Sequence, residues 1–135
     1  MTICTSFPDV LFLEEHGHVV ISVQSPLSDD QWRMLCARAD ARASHGCGII
    51  LELNGLDVLD AFSAAMVQKL CTAVRAHGQL AVVSGIPLSI SVSMMIRDLR
   101  IPDVPILGDL LQAVHYLQCH LPDRPPVRGS REPRT

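Results

Sequence analysis

Residues 48–62 read Gly48-Ile-Ile-Leu-Glu-Leu-Asn-Gly-Leu-Asp-Val-Leu-Asp60-Ala61-Phe62. Gly48 to Leu53 is a nearly continuous apolar run, the pattern of a strand covered on both faces. Asn54-Gly55 then turns the chain. Asp60 is a good N-cap, so a helix is predicted over about 61–77, with Gly78 as its left-handed stop. A buried strand delivered through a turn into a helix is half of a parallel β-α-β unit.

The same grammar extends in both directions. Gln79 to Ser84 is a second buried strand, and Gly85-Ile86-Pro87 turns into a helix predicted over about 88–99. A short strand near Val104–Leu107 and a helix over about 109–120 follow. Upstream, Ser28-Asp-Asp-Gln31 is a capping box opening a helix to about Ser44. Trp32, Leu35, Cys36, Ala39 and Ala43 are helically spaced along it, and Gly46 is its expected stop. Before it, Val10–Leu13 and Val19–Val23 flank Glu14-Glu15-His16-Gly17 and read as a hairpin. The reading is an α/β fold with a mixed, mostly parallel sheet and about four helices. One domain over 1–121 is expected, with a disordered proline- and arginine-rich tail over 122–135 marked by Pro122, Pro125 and Pro126.

Composition narrows the function classes. The chain has 135 residues and a formal charge of −3. Arg124, Arg128, Arg131 and Arg134 against Asp123 and Glu132 leave the tail at +2 and the remainder at −5. An acidic body with few aromatics suits neither a phosphate backbone nor base stacking, so nucleic acid is not an expected partner. No apolar run reaches membrane-spanning length, and no basic-then-apolar leader opens the chain. Five scattered cysteines without a CxxC pair fit a reducing cytoplasm, with Cys36, Cys71 and Cys119 read as small buried hydrophobes. His16 and His18 beside Glu14 and Glu15 fit a polar hairpin tip better than a metal site. No cofactor is expected. No nucleophile–base pairing argues for an enzyme.

In order and spacing, these elements resemble the STAS family of anti-sigma factor antagonists, and within it the RsbS-like stressosome scaffolds. The resemblance spans roughly 9–118. It rests on Ser22-Val23-Gln24 followed by Asp29-Asp30-Gln31, on Leu59-Asp60-Ala61-Phe62, and on Gly85-Ile86 before a serine-rich helix. It implies a non-enzymatic interaction module. The implied partners are a switch serine/threonine kinase of RsbT type and STAS-containing paralogues of RsbR type, in a homo- or hetero-oligomer.

The resemblance also implies a hydroxyl residue directly after Asp60, phosphorylated to release the partner. This chain departs there, because Ala61 has no hydroxyl. Ala61, Ala65, Gln68, Thr72 and Ala76 form one small or polar stripe, expected to face outward. Ser63 is about 200° further round the helix, on the stripe of Met66, Val67, Leu70 and Val74, and is expected to be a buried structural serine. Asp60, Ala61 and Phe62 are the partner-contacting candidates here. In the following helix Leu88, Val92, Met95 and Leu99 form the apolar stripe. Ser89, Ser93 and Arg97 lie on another face as regulatory candidates, with Arg97 placed to stabilise a phosphate on Ser93. The alternative reading is a nucleotide- or lipid-binding STAS domain using a helix N-terminus. No Lys or Arg within 54–63 supports it.

Overall fold

The computed structural model describes residues 2–7, 9–15, 17–42, 48–101 and 103–120. Ala43, Gly46, Cys47, His16 and the tail fall outside these residues. Six strands form one sheet in the order β1-β2-β3-β4-β5-β6. They are β1 (Thr2–Phe7), β2 (Val10–Glu15), β3 (His18–Val23), β4 (Gly48–Glu52), β5 (Leu80–Ser84) and β6 (Ile106–Leu107). The first two pairings are antiparallel and the last three parallel. The helices are α1 (Asp29–Arg42), α2 (Ala61–Ala76), α3 (Leu88–Ile96) and α4 (Leu110–His120).

β1 was not expected. Thr2-Ile-Cys-Thr-Ser-Phe7 carries β-prone residues but no apolar run, and an edge strand needs none, because its partner supplies one full ladder. Asp9 makes the turn into β2 at φ 73°, and its carbonyl accepts from the amide of Gln24 at 2.7 Å.

Alternation divides the core in two. Ile21, Ile49, Leu51, Ala81 and Val83 face one side, beneath Trp32, Leu35 and Ala39 of α1, Val67, Leu70 and Val74 of α2, and Ile90 and Met94 of α3. Val20, Ile50 and Val82 face the other, beneath Ala113, Val114 and Leu117 of α4. The run 48–53 is thus covered on both faces. Three same-handed crossovers put α1, α2 and α3 on one side, and only α4 returns to the other.

Local signals set the helix ends. At α1 the capping box closes both ways: the Gln31 amide donates to Ser28 Oγ at 3.2 Å, and the Ser28 amide to Gln31 Oε1 at 2.8 Å. α2 stops at Gly78, whose φ of 83° is left-handed. α3 ends at Ile96, short of the expected 99. Asp98 takes φ 53°, its amide donates to the Met95 carbonyl at 3.2 Å, and the Leu99 amide donates to the Met94 carbonyl at 2.8 Å. That is a Schellman motif with aspartate in the left-handed slot where glycine is usual.

Three side-chain expectations are corrected. α3 turns Ile90 and Met94 inward, while Leu88 (79% exposed), Met95 (80%) and Val92 face out; only Leu99 of the expected stripe packs on the core. His18 is a buried strand residue rather than part of a polar tip, and its Nδ1 accepts from the Gly48 amide at 3.0 Å. Cys119 is exposed, with Sγ 3.6 Å from His115 Nε2, whereas Cys71 is buried and burial pushes its thiol up to about 12.

Candidate functional site

β4 and β5 are adjacent and parallel, so the turns leaving their C-terminal ends lie side by side. One leads to the head of α2, the other to α3. Gly55 makes this approach possible. A Cβ there would stand 2.6 Å from the carbonyl oxygens of Val23 and Gln24, so the loop after β4 lies directly on the end of β3. Leu56 and Leu59 then dive into the core, while Asp57, Val58 and Asp60 stay outside.

Asp60 caps α2. Its carboxylate accepts from the Ser63 amide at 2.8 Å, and its own backbone is extended. The hydrogen bond from that amide is the main cause holding its carboxyl below the usual range, and Arg97 of α3 adds a smaller attraction of the same sign. Ala61 follows as the first helical residue and is exposed. Ala65, Thr72 and Ala76 continue the exposed stripe below it, with Gln68 half-buried.

Ser63 turns the other way. Its Oγ accepts a hydrogen bond from Trp32 Nε1 at 3.1 Å, stitching α2 to α1. It is half-buried rather than fully buried, but its hydroxyl is engaged by an indole that is only 1% exposed. Phe62 is half-buried against the core, with the Arg33 guanidinium 6.0 Å from its ring centroid. It is therefore both a core contact and part of the surface.

On α3, Ser89 and Arg97 are exposed and Ser93 half-buried. Arg97, at the C-terminal cap of α3, attracts the Asp60 carboxylate, the weakest of the influences on that group. Asp60, Ala61 and Phe62 thus sit together at the head of α2, while Ser89, Ser93 and Arg97 are spread along α3 and its C-terminal cap. Sequence reasoning missed Arg33, which comes from α1, and no local signal marks it. Of residues 54–63 themselves none is basic, but folding brings Arg33 and Arg97 beside them.

Glu52 was also missed. It ends β4, half-buried beside Gly85, where a Cβ would come within 2.5 Å of its Oε2. Burial pushes its carboxyl up, and the Asn54 amide donating to Oε1 at 2.9 Å partly offsets this. Gly85, at φ 72°, is the residue that leaves it room. Among the described residues no cluster of three or more His, Cys, Asp or Glu is placed to hold a metal, and no helix is long and apolar enough to cross a membrane.

No family model and no curated protein matches the sequence. Solved structures do match. RsbS of Moorella thermoacetica, in a serine-to-glutamate form, superposes with a TM-score of 0.66 at 15% identity, covering 82% of this chain and 95% of that one. The fold is that of a STAS domain. An anti-sigma-factor antagonist (STAS) domain protein of Planctomyces limnophilus gives 0.65 at 10% identity, over 82% and 98% of the two chains. A chain of the stressosome, described as a signal integration and transduction hub, gives 0.60 at 14%, over 80% and 96%. Identities this low establish the STAS architecture and leave the role of each side chain to its own geometry.

Proposed function

We propose that this STAS domain is a non-enzymatic protein-interaction module, an RsbS-like scaffold or anti-sigma antagonist that works in the cytoplasm. It grips a switch serine/threonine kinase of RsbT type with the head of α2 and the adjoining side of α3. The observation that carries the reading is the exposed methyl of Ala61 directly after the Asp60 cap. A phosphate there would bring nearly two negative charges into a close interface and oppose binding. A methyl cannot receive one, so the binding-competent state is permanent at this position. Asp60 fixes the loop, Phe62 and Arg33 supply an apolar and cationic rim, and Ser89, Ser93 and Arg97 border it from α3. The engaged hydroxyl of Ser63 supports its exclusion as a substitute acceptor. STAS paralogues of RsbR type are the proposed assembly partners, in line with the stressosome among its structural neighbours.

The test is incubation with the kinase and ATP, followed by phosphate mapping by mass spectrometry. No modification is expected between residues 54 and 63. Phosphate on Ser63 would overturn the reading, and phosphate on Ser93 would relocate the switch to α3.

A further inference from the structure

α4 packs on the sheet through Ala113, Val114 and Leu117, which fix its inner face against Val20, Ile50 and Val82. Its outer face carries His115 and Cys119, both exposed. They are four residues apart, about one turn of helix, and so stand side by side. Cys119 Sγ lies 3.6 Å from His115 Nε2. The next histidine is held elsewhere. His120 stacks on Tyr116 with ring centroids 4.0 Å apart, and its Nδ1 donates to the Tyr116 carbonyl at 2.9 Å.

A thiol and an imidazole on one rigid face can share a proton or a metal ion. The separation fits the second use. With Zn–S near about 2.3 Å and Zn–N near about 2.0–2.1 Å, a tetrahedral angle puts the two donor atoms about 3.5–3.6 Å apart. Location argues against a bare thiolate. Cys119 is the penultimate residue of α4, where unpaired carbonyls give the helix end a partial negative charge. That end repels a free thiolate and attracts a cation. The donor pair also sets the class of ion. Sulfur and imidazole nitrogen suit zinc, whereas calcium and magnesium take oxygen.

We infer that His115 and Cys119 chelate a divalent ion of the zinc class on the outer face of α4. On binding, the Cys119 S–H bond breaks, its proton leaves to solvent and an S–Zn bond forms. His115 gives its Nε2 lone pair, and nothing is oxidised or reduced. Two protein donors leave the remaining positions to water, so the site is open and exchangeable rather than a closed structural one. α4 lies on the opposite face of the sheet from α1, α2 and α3, so the site stands independently of the kinase reading.

The experiment is zinc chloride titration of the reduced, untagged full chain, read in two ways. Iodoacetamide labelling mapped by mass spectrometry should show zinc slowing the alkylation of Cys119. This arm uses the natural sequence, so it does not depend on the folding of a variant. Competition against a chromophoric chelator should show Cys119→Ser and His115→Ala each weakening zinc binding at least about tenfold, the least that loss of even an outer-shell partner costs. His120→Ala should leave it unchanged. Alkylation of Cys119 at the same rate with and without zinc, or protection confined to Cys4, Cys36, Cys47 or Cys71, would overturn the inference and leave the pair a thiol–imidazole hydrogen bond. So would unchanged affinity in His115→Ala, or an equal loss in His120→Ala.

Discussion

Two carboxyl groups and one hydroxyl at the C-terminal end of the sheet behave differently, and each difference has a local cause. Ser63 Oγ is the acceptor for a buried indole. Ser63→Ala leaves that N–H unsatisfied and should cost about 1–3 kcal/mol. Because Trp32 is the sole tryptophan, its emission reports the change directly, alongside a lower urea midpoint. Asp60 is held below its ordinary value, so its capping contribution is present at neutral pH and fades as pH falls through the carboxylate range. Glu52 has the opposite sign. Burial raises its carboxyl, so the native state binds its proton more tightly than the unfolded chain. Its cost is absent below the ordinary value of 4.5 and complete above the raised one. Glu52→Gln keeps the acceptor for Asn54 and removes the charge. Thermal melts should show the variant more stable than wild type at pH 8, with the difference vanishing near pH 4.

At the scale of elements, the strand-turn-helix unit around β4 was legible because each signal there is local. A two-sided apolar run, Asn54-Gly55, an aspartate cap and a glycine stop all act within a few residues. The outward turn of Ala61 followed from the same helix, since Met66, Val67, Leu70 and Val74 leave only one apolar face on α2. α3 was not legible. It has two apolar faces, and counting residues favours Leu88-Val92-Met95, while the crossover from β5 to β6 decides that Ile90 and Met94 face the sheet. β1 was hidden because an edge strand needs no apolar run. Arg33 was hidden because its proximity to Phe62 depends on how α1 packs on α2. Tight packing also gives Gly55 a role the sequence shows only as a turn. Gly55→Ala would drive a Cβ into the backbone of β3, which cannot swing aside as a side chain would. A loss on the order of 2 kcal/mol is expected. It should appear as a melting temperature lower by roughly 4–8 °C.

The whole molecule presents two surfaces of different character. The head of α2, with the Ser89–Arg97 side of α3, is polar, shaped by a cap, and has a methyl where a switch would sit. The outer stripe of α3 is apolar and uncharged. The central claim is that Ala61 keeps the first surface permanently open, and calorimetric titration of the switch kinase into wild type and Ala61→Glu tests it most directly. The account predicts tight binding by wild type and at least about tenfold weaker binding by the variant, roughly 1.4 kcal/mol, at an unchanged melting temperature. Equal affinity for the two proteins would contradict it.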